Sequence, residues 1–114
     1  MGRKAVSKFS HTTIDGIGYF EPEETMTYDD AMKWAKTRGL RLLTRGEWCD
    51  LFDSKEEFRN SCQSDLYWTA SLDFTNRDYA CIFSGKFGFI SSGSRDYSYT
   101  VRAVKADVEK HRGY

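Results

Sequence analysis

Three cysteines carry the strongest nucleophilic chemistry in this 114-residue chain: Cys49, Cys62 and Cys81. Three thiols cannot all pair within one chain. Cys81 is the best candidate for a catalytic nucleophile, but it stands in the alternating run Tyr-Ala-Cys-Ile-Phe, which predicts a small buried residue of a strand. A Cys49–Cys62 disulfide is the alternative to free thiols. Because a reducing compartment disfavours that bridge, we expect free, buried thiols.

Histidines and paired carboxylates raise metal binding and acid–base catalysis as further options. His11 and His111 lie near opposite ends of the chain, and neither has the close ligand spacing of a structural zinc site. Adjacent acidic pairs occur at 23–24, 29–30 and 56–57. Neighbouring residues on a helix point to different sides, so such pairs suit the positive end of a helix better than a shared catalytic site. We expect no metal ion and no cofactor.

Two polar segments that also carry aromatic residues suit molecular recognition better than catalysis. They are "LDFTNRD" at residues 72–78 and "SSGSRDYSY" at residues 91–99. Aromatic rings supply contact area at low entropic cost, and arginine supplies a fork of hydrogen-bond donors. The equally weighted alternative is that both segments are ordinary solvated turns. The candidate binding residues are Asn76, Arg77, Asp78, Ser94, Arg95, Asp96 and Tyr97.

Opposite charges balance over the whole chain, with 17 basic residues against 17 acidic ones. No global field therefore draws the protein to nucleic acid or to an anionic membrane. A local basic patch could still bind nucleic acid, although a solvated helix face explains the same pattern more simply. Its residues are Lys33, Lys36, Arg38, Arg41 and Arg45.

The start of the chain is basic, with Arg3, Lys4 and Lys8. No apolar run follows it that could serve as a signal peptide or a membrane span. The sequence therefore predicts a cytoplasmic protein that does not associate with membranes.

The size and composition of the chain predict one domain. Hydrophobic residues make up 39% and aromatic residues 16%, and two separate cores would each be marginally small. We expect a single domain over residues 1–114, with its core at about 14–105. A basic N-terminal arm and a charged C-terminal tail, "ADVEKHRGY", flank that core.

The segment "TYDDAMKWAKTRG" predicts the first helix. Thr27 can cap its N-terminus with Asp30 three residues on, and Gly39 is the expected left-handed stop. Apolar residues recur at helical spacing and predict a buried stripe. The stripe consists of Tyr28, Ala31, Met32 and Ala35, widened by Trp34.

A second helix is predicted directly after the short strand "LRLLT". Thr44 and Glu47 have the Thr-x-x-Glu spacing of a capping box. Trp48, Leu51 and Phe52 then share one face, which makes Trp48 a core anchor. The Ser-x-x-Glu spacing of Ser54 and Glu57 predicts a short third helix. Its inner residues would be Phe58 and Cys62.

Strands are predicted before the first helix and throughout the second half of the chain. "IGYF" precedes a Glu-Pro turn at residues 21–22, and from Leu66 the apolar period becomes two. Ser84-Gly85-Lys86 has the composition of a hairpin turn. The later strand segments are "LYWTAS", "DYACIFS", "KFGFISS" and "YSYTVRAVK". The predicted fold class is α+β, with two helices from the N-terminal half packed on a twisted antiparallel sheet.

Three segments, which lie where consecutive predicted helices and strands meet, resemble segments of a known fold. "MTYDDAMKWAKTRGLRLLTRGEWCDLF", "YWTAS" and "YSYTVRAVK" are similar to the joints of bacterial and phage domains related to the C-terminal part of the Legionella collagen-like adhesin. Those domains have a C-type-lectin-like fold. "RLLTRGEW" also echoes a joint of the formylglycine-generating enzyme group, with Leu43 where the family has proline. The resemblance covers residues 16–105.

The resemblance implies a scaffold whose ligand surface is built by loops beside the last strands. Calcium-dependent lectins use Glu-Pro-Asn and Trp-Asn-Asp runs late in the chain, whereas "EPE" comes early here and "WCD" falls within a predicted helix. The formylglycine-generating enzymes carry reactive cysteines near their last strands, and no cysteine follows Cys81 here. We therefore expect a calcium-independent, non-enzymatic binding module for a protein partner, with phage or bacterial modulation of a cellular enzyme as its role. The alternatives are a glycan-binding adhesin-type domain and a small enzyme using Cys81.

Overall fold

The computed structural model describes residues 8–108 of the chain. Ten elements follow one another along the described chain. They are β1 (Phe9–Ile14), β2 (Ile17–Pro22), α1 (Tyr28–Thr37), β3 (Leu40–Leu42), α2 (Arg45–Ser54), α3 (Glu56–Ser61), β4 (Leu66–Leu72), β5 (Tyr79–Ser84), β6 (Ile90–Ser94) and β7 (Ala103–Lys105).

The strands form two antiparallel sheets, where the sequence predicted one. The first has the order β1-β2-β7-β3, and the second has the order β4-β5-β6. The last strand, β7, therefore lies between two strands from the start of the chain. The two sheets meet where the Ala70 N–H donates to the Leu43 carbonyl at 2.7 Å. The α+β class is confirmed, and the expectation of a single sheet is wrong.

The alternation of side chains along the strands builds two hydrophobic clusters. Successive residues of a strand point to opposite faces, so neighbouring residues enter different clusters. Trp68, Ile82, Leu42 and Ala103 belong to the first cluster, which α1 covers. Tyr67, Phe83, Leu43 and Val104 belong to the second, which α2 and α3 cover.

Helix α1 begins and ends where the sequence predicts. The Thr27 hydroxyl accepts a hydrogen bond from the Asp30 N–H at 3.3 Å, and Gly39 takes a positive φ of 70°. Of the predicted stripe, Tyr28, Ala31, Trp34 and Ala35 are buried. Met32 is 38% exposed, so its place in the core was predicted wrongly. The 3.6-residue helical period turns Met32 away from the buried stripe centred on Ala31 and Ala35, whereas Trp34 lies within that stripe.

Helix α2 begins at the predicted capping box. The Thr44 side chain accepts from the Glu47 N–H, and the Glu47 carboxylate accepts from the Thr44 N–H at 2.8 Å. Trp48 is fully buried, as expected of a core anchor. The cap predicted for α3 is wrong: Lys55 occupies the cap position without a side-chain bond, and the Ser54 hydroxyl donates back to the Asp50 carbonyl at 2.6 Å.

Several strand boundaries differ from the sequence pattern. Strand β1 was not predicted, because its exposed residues show little apolar alternation. It pairs along its full length with β2 through the turn at Asp15 and Gly16, both of which have positive φ. Strand β6 begins only at Ile90, and β7 is limited to Ala103–Lys105. Between them, Thr100 forms an isolated β-bridge with Tyr67 of β4.

The chain ends named in the sequence analysis fall largely beyond this description. Residues 1–7 of the basic arm and residues 109–114 of the charged tail, with His111, lie outside the described residues. Within residues 8–108, the helices are too short and too polar to cross a membrane.

Candidate functional site

The two candidate recognition segments meet at one end of the β4-β5-β6 sheet. Tyr79 at the start of β5 is paired with Ser94 at the end of β6. Just beyond that pair, the Arg95 N–H donates to the Asp78 carbonyl at 2.9 Å. We call residues 72–78 and 94–97 the loop surface. All seven candidate binding residues belong to it. The fold therefore brings residues 76–78 next to residues 94–97, with 15 residues between the two groups in the sequence.

Asp73 ties the first loop to strand β6. Its carboxylate accepts hydrogen bonds from the Thr75 N–H at 2.8 Å, the Thr75 hydroxyl at 2.6 Å and the Ser92 hydroxyl at 2.5 Å. These donors favour the charged form and lower the pKa of Asp73 to about 2, with the Ser92 hydrogen bond as the largest cause. The Asn76 side chain adds a turn within the same loop by accepting from the Asp78 N–H at 2.9 Å.

We expect the Asp73 contacts to make the stability of the protein fall in acid. A carboxyl whose pKa is lowered by folding stabilises the native state above its unfolded pKa of about 3.9. That contribution disappears as the pH falls towards the folded value of about 2. Between pH 4 and pH 2 the urea midpoint of wild type should therefore drop more than that of Asp73→Asn. Parallel midpoint curves for the two proteins would contradict this assignment.

Arg95 clamps the loop surface to helix α1. One Nη donates to the Asp29 carboxylate at 2.6 Å, and the other donates to the Arg77 carbonyl at 3.0 Å. The guanidinium also lies 5.0 Å from the centre of the Tyr28 ring. Arg95 thus has a structural role in addition to the predicted one. Its partners on α1 are 66 and 67 positions away in sequence, so no local pattern could indicate them.

A polar groove of about 610 Å³ runs beside the clamp. Four of its lining residues belong to the loop surface, and Thr27, Asp29 and Tyr79 were not among the candidate residues. The groove carries three carboxylates and one guanidinium, so it favours cationic groups of a partner. Its lining consists of Thr27, Asp29, Asp78, Tyr79, Ser94, Arg95 and Asp96.

Two aromatic side chains of the loop surface are open to solvent. Phe74 is 86% exposed and Tyr97 is 63% exposed. The guanidinium of Arg45 lies 5.3 Å from the Phe74 ring centre, and the Tyr97 ring packs edge-on at 6.4 Å from Tyr99. Large exposed aromatics beside polar groups are typical of recognition surfaces. Trp68, whose exposure the sequence left open, is fully buried and its indole N–H donates to the Met26 carbonyl.

The cysteines are free thiols with little nucleophilic character. Cys81 is buried and its thiol donates to the Leu72 carbonyl at 3.7 Å. Cys49 and Cys62 are half-buried rather than buried. Burial raises the pKa of all three thiols, whereas an activated cysteine needs a lowered pKa. This environment disfavours the enzymatic alternative for Cys81.

The remaining titratable candidates do not converge on a common site. Within residues 8–108, no cluster of His, Cys, Asp and Glu is placed to hold a metal ion. His11 stacks on Phe20 at 4.6 Å. In the basic patch, Arg41 forms a two-pronged pair with the buried Glu47 at 2.8 and 2.9 Å, so it is engaged in the fold.

Comparison of the chain with models of known protein families and with curated proteins finds no match. The function is therefore inferred from the chemistry and geometry of the loop surface.

Proposed function

We propose that this protein is a non-enzymatic binding module whose loop surface recognises a protein partner. One observation carries the proposal: Asp73 fixes the first loop to strand β6, and Arg95 fixes the second loop to the Arg77 carbonyl of the first and to Asp29 of α1. The locked loops leave the side chains of Arg77, Asp96 and Tyr97 exposed. Loops that are ordered before binding lose less conformational entropy when a partner docks.

The chemistry of the loop surface supports a protein partner. Exposed Tyr97 and Phe74 offer apolar area, and Arg77 offers a forked donor, which are the residue types enriched in binding hot spots and paratopes. The adjacent groove, with three carboxylates, suits lysine or arginine side chains of the partner. Such a combination of an aromatic anchor and opposite charges is typical of protein interfaces.

Two finer parts of the proposal rest on the resemblance. The observed order is two strands, a helix, a short strand, two helices and four later strands. Apart from β1 and α3, it follows the strand, helix, short strand, capped helix and antiparallel strands that a C-type-lectin-like fold implies. We propose that fold, and with it a cytoplasmic phage or bacterial protein that modulates a cellular enzyme by binding it without calcium. Nucleic acid remains the less favoured partner because Arg41 of the basic patch is paired within the fold.

A glycan is the second candidate ligand, and the exposed rings favour it. Aromatic faces such as those of Phe74 and Tyr97 can stack on sugar rings. A glycan array probed with wild type and with Phe74→Ala separates the two candidates. Binding of a glycan by wild type and its loss in Phe74→Ala would favour the glycan, and an array without signal would remove it.

The partner is tested by affinity capture from a bacterial lysate with three tagged proteins. The loop variant carries Arg77→Ala and Tyr97→Ala, which remove exposed side chains and keep the Arg77 carbonyl that Arg95 uses. The control variant carries Lys36→Ala and Met32→Ala on the exposed side of α1, so it also loses one cation and one apolar group. Wild type and control should retain a stoichiometric partner that the loop variant loses.

Two outcomes of the capture would contradict the proposal. If the control variant loses the partner and the loop variant keeps it, the binding surface lies on α1. If wild type retains no stoichiometric protein, a protein partner in that lysate is excluded.

A further inference from the structure

Strand β6 presents one row of backbone groups away from its sheet. The Ser84 N–H donates to the Phe89 carbonyl and the Arg95 N–H donates to the Asp78 carbonyl, both at 2.9 Å. Hydrogen-bonded pairs alternate along an antiparallel ladder. With the observed register, Ser91 and Gly93 therefore direct their backbone groups to β5. The groups of Ile90, Ser92 and Ser94 point outward.

These outward groups lie at the edge of the sheet. Strand β6 pairs with β5 alone, and the described chain supplies only one outward contact, from the Tyr97 N–H to the Ser94 carbonyl at 3.0 Å. The opposite edge of the same sheet is covered, because the Trp68 N–H on β4 donates to the Thr100 carbonyl at 3.0 Å. The sheet is thus closed on the β4 side and open on the β6 side.

The composition of β6 leaves this edge available for pairing. Native edge strands are commonly protected by lysine, proline or a bulge. The strand reads Ile-Ser-Ser-Gly-Ser, without a charge or a proline, and its pairing with β5 is regular from Tyr79 to Phe83. After Ile90 its side chains are small, and Ser91 and Ser92 are exposed. A second strand can therefore approach without meeting a charged side chain of β6 itself.

Exposed aromatic residues lie at both ends of the edge. Phe87 is 68% and Phe89 is 49% exposed, and their rings stack with centres 6.5 Å apart just before β6. Tyr97 follows β6 at the other end. The pattern of "KFGFISS" predicts a strand through both phenylalanines, whereas β6 begins only at Ile90 and leaves the aromatic pair exposed at the hairpin.

We propose that β6 pairs with β6 of a second copy of this chain, antiparallel and centred on Ser92. That register is self-complementary: Ser92 faces its own copy, and Ile90 faces Ser94 of the other copy. It also brings the Phe87–Phe89 pair of one copy towards Tyr97 of the other. A formal net charge of zero leaves little repulsion between copies. The β4-β5-β6 sheets of the two copies then form one continuous six-stranded sheet.

Strand β1 is an edge of the four-stranded sheet, and it fits a second copy less well. The Glu23 N–H donates to the Lys8 carbonyl, so by the same alternation Phe9, His11 and Thr13 face outward there. The positively charged Lys8 directly precedes this strand. Phe9 is its exposed large hydrophobic residue, and the Phe9 ring packs on Phe20 and Trp34. The β6 edge is therefore the better surface.

Sedimentation velocity over micromolar to millimolar protein concentrations tests the dimer. Such a short edge gives a small interface, for which a micromolar dissociation constant is expected. Ser92→Pro removes the outward N–H and leaves the β5 ladder intact, since proline is tolerated on edge strands. We expect Ser92→Pro to weaken dimerisation at least tenfold. Ser92→Ala loses the same hydroxyl but keeps the N–H, and it should dimerise within about twofold of wild type.

Two further variants keep the result decisive. If Ser92→Pro unfolds, Ser91→Lys replaces it, because two like charges near the twofold axis should weaken the dimer and added salt should restore it. His11→Pro acts as the control on β1 and should leave the dimer intact. A monomer at every concentration, a dimer unaffected by the β6 variants, or a dimer lost only in His11→Pro would overturn the proposal. Sedimentation uses this chain alone, so the dimer is scored without a partner, although Ser92 also bonds Asp73 of the loop surface.

Discussion

Arg102→Ala should destabilise the protein by about 3–5 kcal/mol, measured as the free energy of unfolding in urea. Arg102 is 1% exposed, although its side chain carries a positive charge. Its guanidinium pairs with the Glu21 carboxylate and donates to the Ser61 hydroxyl and carbonyl at 3.0 and 3.1 Å. Removing it leaves the half-buried Glu21 charge without a partner and opens a cavity beside Phe58.

Two comparisons isolate the cause of the Arg102 effect. The Arg102 guanidinium lies 4.9 Å from the centre of the Phe58 ring. The Arg38 guanidinium lies 5.0 Å from that of Trp34, but the Arg38 side chain is exposed. Arg38→Ala should therefore cost less than about 1 kcal/mol. The double variant Arg102→Met with Glu21→Leu should recover most of the loss, because it removes both charges together. An equal effect of the two single alanine substitutions would show that Arg102 makes no buried ion pair.

Glu47→Ala is expected to cost about 3–4 kcal/mol of unfolding free energy. Glu47 is 2% exposed and its carboxylate accepts from the Thr44 N–H and from both Nη atoms of Arg41. The substitution leaves the Thr44 N–H without its acceptor and the half-buried Arg41 guanidinium without its counter-charge. The Arg41 guanidinium also donates to the Val108 carbonyl at 3.0 Å, so the effect should extend to the end of the described chain.

Asp30→Ala is the matched control for Glu47. Asp30 holds the same third position of α1 that Glu47 holds in α2, and it is exposed. Its loss removes only an interaction with the helix dipole, which contributes less than about 1 kcal/mol. Urea unfolding of both variants should therefore separate them by at least about 2 kcal/mol. A similar loss in both would mean that the Arg41–Glu47 pair contributes little.

Local chemistry explains which elements could be predicted from the sequence. The Thr27 and Thr44 caps and the Gly39 stop depend on residues three or four positions apart. The period-two pattern likewise located β4 and β5 within one residue of their observed bounds. In each case the partners are close in sequence, so spacing alone predicts the contact.

The features that escaped prediction depend on distant partners. Nothing near Arg102 indicates that Glu21 and Ser61, 81 and 41 positions away, make its burial tolerable. The position of β7 between β2 and β3, and the division into two sheets, arise from contacts across the whole chain. The loop surface lies between these cases. Composition predicts its residues as binding candidates, and only the fold shows that Arg95 joins them to Asp29.

The most direct test of the loop surface is the affinity of the captured partner for purified variants, measured by isothermal titration calorimetry. Hot-spot tyrosine and arginine side chains each contribute about 1–2 kcal/mol or more to binding. The variant with Arg77→Ala and Tyr97→Ala should therefore bind at least tenfold more weakly than wild type. The α1 control with Lys36→Ala and Met32→Ala should stay within about twofold. Equal affinities of wild type and the loop variant would contradict a binding site on these loops.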